Sequence, residues 1–179
     1  GKPLVLHVHS LEYDRVGPES KGWIYQIERH ALEQADAIIA VSDYTRQVIA
    51  EHYGMRDAKV QAIANGLEAV APYRLKPAFP ERLVTFVGRL TRQKGLEYLV
   101  ELVRALLAQD EQLRFAIAGD GDALPAMMHA VAAARMGDRV HFTGFLPGEA
   151  VRDLLAMSDV FVMPSISEPF GLVAAEAAQ

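Results

Sequence analysis

Apolar runs of strand length alternate with segments of helical period from one end of this 179-residue chain to the other. The runs predict strands near 3–9, 37–41, 59–64, 83–87, 113–118, 139–142 and 159–163. Helices are expected between them, near 20–34, 43–53, 95–108, 123–135, 148–157 and 171–178. A chain that returns to a strand only after a helix builds parallel sheets with helical crossovers. The expected fold class is therefore α/β, with Rossmann-like parallel sheets carrying helices on both faces. The clearest helix is Leu96 to Leu107, where Leu96, Leu99, Val100, Val103, Leu106 and Leu107 recur at steps of three and four. One stretch breaks the alternation. From Glu68 to Glu81 there is no periodicity, and Pro72, Pro77 and Pro80 punctuate it, which marks the best domain boundary in the chain.

Composition narrows the classes of function. With 51% apolar residues the chain can bury one sizeable core or two small ones. A net charge of −5 and the lack of basic runs argue against a nucleic-acid surface. The chain has no cysteine, which excludes a disulfide framework and thiolate chemistry and suits a reducing, cytoplasmic location. No apolar stretch approaches the roughly 18 residues of a membrane span. The chain opens Gly-Lys-Pro and runs straight into a strand without an initiator Met, so no signal peptide is expected and a piece of a longer protein is.

Two strand-to-helix loops carry the chemistry. The first is Gly88-Arg89-Leu90-Thr91-Arg92-Gln93-Lys94-Gly95, after the run Leu83 to Val87. Glycine at both ends permits backbone close to a ligand. Arg89 offers a fork of donors and Lys94 a point charge, together suited to a diphosphate; a solvated basic loop is the plainer reading. The Gly-Lys-Ser/Thr ending of an NTPase phosphate loop is absent, as is the dinucleotide glycine fingerprint. The second loop is Ser167-Glu168-Pro169-Phe170-Gly171-Leu172, running on to Glu176 and following the strand Asp159 to Met163. A helix starting near Gly171 aims free N–H groups at an anion, with Glu176 inside the helix and Glu168 outside it. The plainer alternative is a solvated loop acid followed by a helix-surface acid.

Glu168 and Glu176, with Pro-Phe-Gly-Leu between them, resemble the paired-glutamate signature of retaining GT-B glycosyltransferases of the family 4 type, the group of glycogen synthase-like and mannosyltransferase-like enzymes. Gly88-Arg89 and Lys94-Gly95 are similar to that family's donor diphosphate loop. His7-Val8-His9-Ser10, Ala40-Val41-Ser42, Ile63-Ala64-Asn65-Gly66, Ile117 to Gly121 and Val140 to Gly144 follow in the family's order. The resemblance implies a GT-B architecture in which 1–67 is the latter part of an N-terminal, acceptor-side domain. A linker at 68–82 and a truncated C-terminal nucleotide-sugar-binding domain at 83–179 would follow.

The same resemblance assigns roles. Arg89 and Lys94, with N–H groups around Gly171 and Leu172, would stabilise the departing diphosphate; Gly88 and Phe170 belong to the same donor-binding set. Glu176 would accept from the ribose hydroxyls and Glu168 from hydroxyls of the donor sugar. Phe145 and Leu146 would meet the nucleotide base through their backbone, or form a buried hydrophobic turn. His9 would face the donor sugar, although an ordinary strand pair or a metal-binding pair with His7 are competing readings, since residues two apart share a strand face. Glu12-Tyr13-Asp14-Arg15 is a polar cluster suited to substrate contact or to loop salt bridges.

No metal site is expected. Asp120-Gly121-Asp122 looks like a metal motif of another glycosyltransferase fold, but its place after a strand favours a glycine turn with Asp122 as a helix N-cap. Met127-Met128 reads as core packing. The implied reaction moves a sugar, with retention, from a nucleotide-diphosphate-sugar to a glucan, polysaccharide, lipid or small-molecule acceptor. No cofactor is needed beyond that co-substrate, and peripheral membrane contact stays open for the full-length protein. A non-catalytic nucleotide-sugar-binding protein and a nucleotide-sugar epimerase on the same fold are the alternatives.

Overall fold

The structure, a computed structural model, describes residues 1–179. The chain forms two compact units, the first comprising Gly1–Leu67 with Ser167–Leu172, the second Glu68–Ile166 with Val173–Gln179.

In the first unit, β1 (Val5–Val8), β2 (Ala37–Ala40) and β3 (Val60–Ala62) form a parallel sheet in that order. Helices α1 (Glu12–Val16), α2 (Trp23–Gln34) and α3 (Asp43–Glu51) fill the connections. Leu32, Ile38, Ile49 and Tyr53 are almost fully buried and form the heart of its core. Tyr53 is held by more than packing, because its hydroxyl donates to Glu28 Oε2 at 2.5 Å. Burial and the Glu28 carboxylate push this phenol far above its ordinary range. Helix α1 was not legible as a helix. It forms because two carboxylates satisfy its first N–H groups: Leu11 N donates to Asp14 Oδ2 at 2.8 Å, and Glu12 N to both oxygens of Glu28 at 3.0 Å.

In the second unit, β4 (Arg82–Val87), β5 (Leu113–Ala118), β6 (Val140–Gly144) and β7 (Val160–Phe161) form a wholly parallel sheet in the order β6-β5-β4-β7. Helices α4 (Leu96–Leu107), α5 (Leu124–Ala133) and α6 (Gly148–Met157) connect the strands, and α7 (Leu172–Ala177) follows β7. Alternate residues of the central strands feed two cores, as a sheet covered on both faces requires. Phe86, Phe115 and Ile117 pack with Leu99, Val103, Met127 and Val131 of α4 and α5. Leu83, Ala116 and Ala118 pack with Leu154 of α6 on the other face.

Three details depart from expectation. Strand β7 is only two residues long; Val162 N still donates to Thr85 O at 2.8 Å, but Pro164 has no N–H with which to continue the ladder. Asp122 does not cap α5, whose N-cap is Ala123 with no side-chain hydrogen bond; Asp120 Oδ1 instead accepts from Gly121 N at 2.7 Å and tightens the turn. Met127 is core, but Met128 is 48% exposed because one step along a helix rotates a side chain by about 100°. The proline-rich stretch 68–81 carries no helix or strand. It runs along α6, with Leu75 N donating to Ala156 O at 3.1 Å and Tyr73 Oη to Asp153 Oδ1 at 2.8 Å. That hydrogen bond raises the Tyr73 phenol pKa.

Candidate functional site

The sheet of the second unit reverses its winding beside β4. Strands β4, β5 and β6 step outward in one direction, and the chain then returns to lay β7 against the opposite side of β4. In open parallel sheets such a switch point opens a crevice at the carboxyl ends of the two strands. The Gly88–Gly95 loop leaves the carboxyl end of β4, and the segment beginning at Met163 leaves that of β7. Both sequence-predicted diphosphate cations, Arg89 and Lys94, therefore lie on a switch-point loop. Arg89 is exposed and Lys94 half-buried.

Backbone contacts fix this loop. Gly88 N donates to Ala118 O at 3.0 Å, Leu90 N to Asp120 O at 2.9 Å, and Ala123 N to Leu90 O at 3.0 Å. On the β7 side, Ile166 N donates to Gln93 O at 2.9 Å. The approach is so close that only glycine fits at two key points. A Cβ on Gly95 would sit 1.9 Å from Pro164 O, and the residue's φ is +68°. A Cβ on Gly121 would sit 2.3 Å from Leu90 O. Arg92–Lys94 winds as a single 3-10 turn that ends on Gly95.

The third loop at this edge follows β6. Gly119 N donates to Gly144 O at 2.8 Å, tying the β5 end to the turn that holds Phe145 and Leu146. Phe145 is 80% exposed and Leu146 half-buried against the α6 face of the sheet, so the reading of this turn as buried hydrophobic packing fits Leu146 and not Phe145. Glu176 is exposed on α7 within the same unit.

The remaining residues belong to the first unit. His9 follows the carboxyl end of β1, and its ring lies with its centroid 4.1 Å from that of His7, so the two histidines share a strand face as their spacing requires. Glu168, Phe170, Gly171 and Leu172 lie in the Ser167–Leu172 segment. Pro169 and Gly171 are buried there, and Gly171 has φ +81°. Ser167 Oγ donates to Asp14 Oδ1 at 2.9 Å and lies 3.3 Å from Tyr44 Oη of α3. Sequence reasoning missed this anchoring role of Asp14, Tyr44 and Ser167. Asp14 at the third position of a helix carries a local capping signal, but nothing in the sequence announces a bond between residues 153 positions apart. No group of three or more His, Cys, Asp or Glu side chains is arranged to hold a metal ion.

These features define a Rossmann-like parallel sheet with a switch-point crevice at its carboxyl edge. The family model for glycosyl transferases group 1 matches residues 74–179, and that for glycosyltransferase family 4 matches residues 1–69. The chain belongs to the group 1, family 4 glycosyltransferases, and its fold is that of the GT-B enzymes. It is 34% identical to alpha-maltose-1-phosphate synthase of Mycolicibacterium smegmatis over 99% of this chain and 51% of that protein. It is 30% identical to the alpha-D-kanosaminyltransferase of Streptomyces kanamyceticus over 98% of this chain and 50% of that one. Among solved structures, sucrose-phosphate synthase from Thermosynechococcus elongatus matches with a TM-score of 0.78 and 28% identity, over 97% of this chain and 47% of that chain. HepE of Anabaena, in complex with UDP-glucose, matches with a TM-score of 0.78 and 23% identity, over 98% of this chain and 50% of that chain. The chain thus spans about half the length of the curated relatives it matches. No helix in it is long and apolar enough to cross a membrane.

Proposed function

We propose that this chain carries the donor-binding part of a retaining glycosyltransferase that moves a sugar from a nucleoside-diphosphate-sugar to a hydroxyl acceptor. The observation that carries the reading is the pair of cations, Arg89 and Lys94, on a backbone-locked loop at the switch point of the second unit's sheet. Cleaving a sugar–phosphate bond develops negative charge on the departing diphosphate. Fixed cations at that position stabilise the charge without reorganising, and such preorganised stabilisation usually supplies more of the rate enhancement than any other single effect. Glu176 takes the ribose hydroxyls, and the turn at Phe145 and Leu146 takes the base. In the first unit, His9 and Glu168 are the sugar-facing residues. Retention rests on the family resemblance. Glycosidases that retain by a covalent route use two carboxyls about 5–5.5 Å apart; with Glu176 given to the ribose, we favour reaction on one face of the sugar.

The test is turnover of UDP-glucose, ADP-glucose and GDP-mannose by the full-length protein and by Lys94→Ala. Removing one such stabilising donor is expected to lower kcat/KM about 100-fold or more. Proton NMR of the product is expected to show the donor's anomeric configuration. A Lys94→Ala enzyme with near-normal kcat/KM contradicts the assignment, and an inverted product contradicts retention.

A further inference from the structure

Asp14 is a buried carboxylate, 6% exposed, at the carboxyl edge of the first unit's sheet. Its two oxygens serve different parts of the chain. Oδ2 accepts from Leu11 N at 2.8 Å and lies 3.4 Å from Ser10 Oγ, in the turn directly after His9. Oδ1 accepts from Ser167 Oγ at 2.9 Å, directly before Glu168. Each sugar-facing residue of the first unit is therefore the chain neighbour of a group bonded to one carboxylate. Tyr44 Oη, 3.3 Å from Ser167 Oγ, braces the second side.

We propose that Asp14 is a positioning residue that sets the Glu168 turn in register with the His9 turn, through Ser167 on one side and Ser10 and Leu11 on the other. This rests on the reading of His9 and Glu168 given above. A carboxylate suits the task because it only accepts, and both neighbours are donors. The isosteric amide can still meet both, its oxygen on Leu11 N and its NH2 on the Ser167 hydroxyl, which also accepts, so the informative substitution is Asp14→Ala, which removes both bonds. The plainer role, capping of α1, uses Oδ2 alone. The bond from Ser167 to Oδ1 adds nothing to a cap, and it separates the two roles.

The experiment is a double-mutant cycle in the full-length protein with Asp14→Ala, Ser167→Ala and the pair. Ser167→Thr serves as the conservative rescue and Lys94→Ala as the control. Steady-state rates use whichever of UDP-glucose, ADP-glucose or GDP-mannose the wild type turns over, and thermal midpoints are recorded beside them. A misplacement of about 1 Å at a reacting group costs up to about 100-fold, so each single variant is expected to lower kcat roughly 10- to 100-fold. KM for the donor should stay within about threefold, the pattern of an interaction used in the transition state. The double variant should be no slower than the slower single, because both remove the bond between Ser167 and Asp14. Ser167→Ala should lower the thermal midpoint, because it leaves the buried Asp14 Oδ1 short of a donor, and Ser167→Thr should restore both the midpoint and the rate. Additive losses, or a folded Asp14→Ala enzyme with wild-type kcat and only a lower midpoint, would leave Asp14 a helix cap and overturn the proposal. If Lys94→Ala turns over normally, or the wild type turns over none of the three donors, the glycosyl-transfer reading has failed instead.

Discussion

Gly95 shows how much structure one residue can carry in this chain. Its φ of +68° lies where side chains are strained, and a Cβ there would meet the carbonyl oxygen of Pro164 at 1.9 Å. The left-handed conformation alone costs roughly 1–2 kcal/mol with a side chain. The clash with fixed backbone adds to that, so Gly95→Ala is expected to destabilise the protein by at least about 2 kcal/mol. Gly137 is a natural control, since a Cβ there meets nothing within 4 Å. Urea unfolding checks the contrast: the Gly95→Ala midpoint falls with an unchanged slope, and the Gly137→Ala midpoint stays close to wild type. At this scale the sequence made the position of Arg89 and Lys94 readable, on one strand-to-helix loop with glycine at both ends. It was unreadable where a residue acts through distant chain. Phe145 was a turn residue in either reading, and its side chain proved exposed because Leu146, not Phe145, faces α6. Asp14 looked like one acid in a polar cluster because Ser167 lies 153 positions away.

Among elements, the periodic ones were legible and the edges were not. Helix α4 buries Leu96, Leu99, Val100 and Val103, the stripe its three- and four-residue steps define. Strand β7 shrank to two residues because the chain soon meets Pro164, which has no N–H with which to continue the ladder. Helix α1, five residues long, has no apolar period to reveal it. The two ends of the second sheet also divide their work. The carboxyl ends carry the candidate site, and the amino ends carry an ion cluster in which Glu81 Oε1 accepts from Arg114 Nη2 at 2.7 Å and from Arg139 Nη1 at 3.0 Å. Arg114 also stacks over the Phe79 ring, 4.8 Å from its centroid. The hydrogen bond from Arg114 comes first among the causes that hold the Glu81 carboxyl below its ordinary value of 4.5. A carboxyl lowered by folding stabilises the native state in full above its unfolded pKa, and that contribution is lost as pH falls through the folded one. The wild type should therefore lose stability on the acid side of pH 4.5. Glu81→Gln should be less stable at neutral pH and lose less on acidification. Thermal midpoints across that range check this; an unchanged acid limb in Glu81→Gln would remove Glu81 from the account.

For the whole molecule, two parallel sheets with separate cores follow from strand–helix alternation interrupted by one proline-rich stretch. Fold class was visible early because it depends on period alone. The order β6-β5-β4-β7 was not, since no periodicity states which neighbour a strand chooses, yet that order is what turns the Arg89–Lys94 loop into a switch-point loop. The central claim is that this edge binds a nucleoside diphosphate. Ligand-observed NMR of the protein against UDP, ADP and GDP, beside Lys94→Ala and Glu176→Ala, tests it most directly. One diphosphate should bind preferentially, and both substitutions should abolish its signal. Binding that survives both substitutions, or a folded protein that binds none of the three, would contradict the claim.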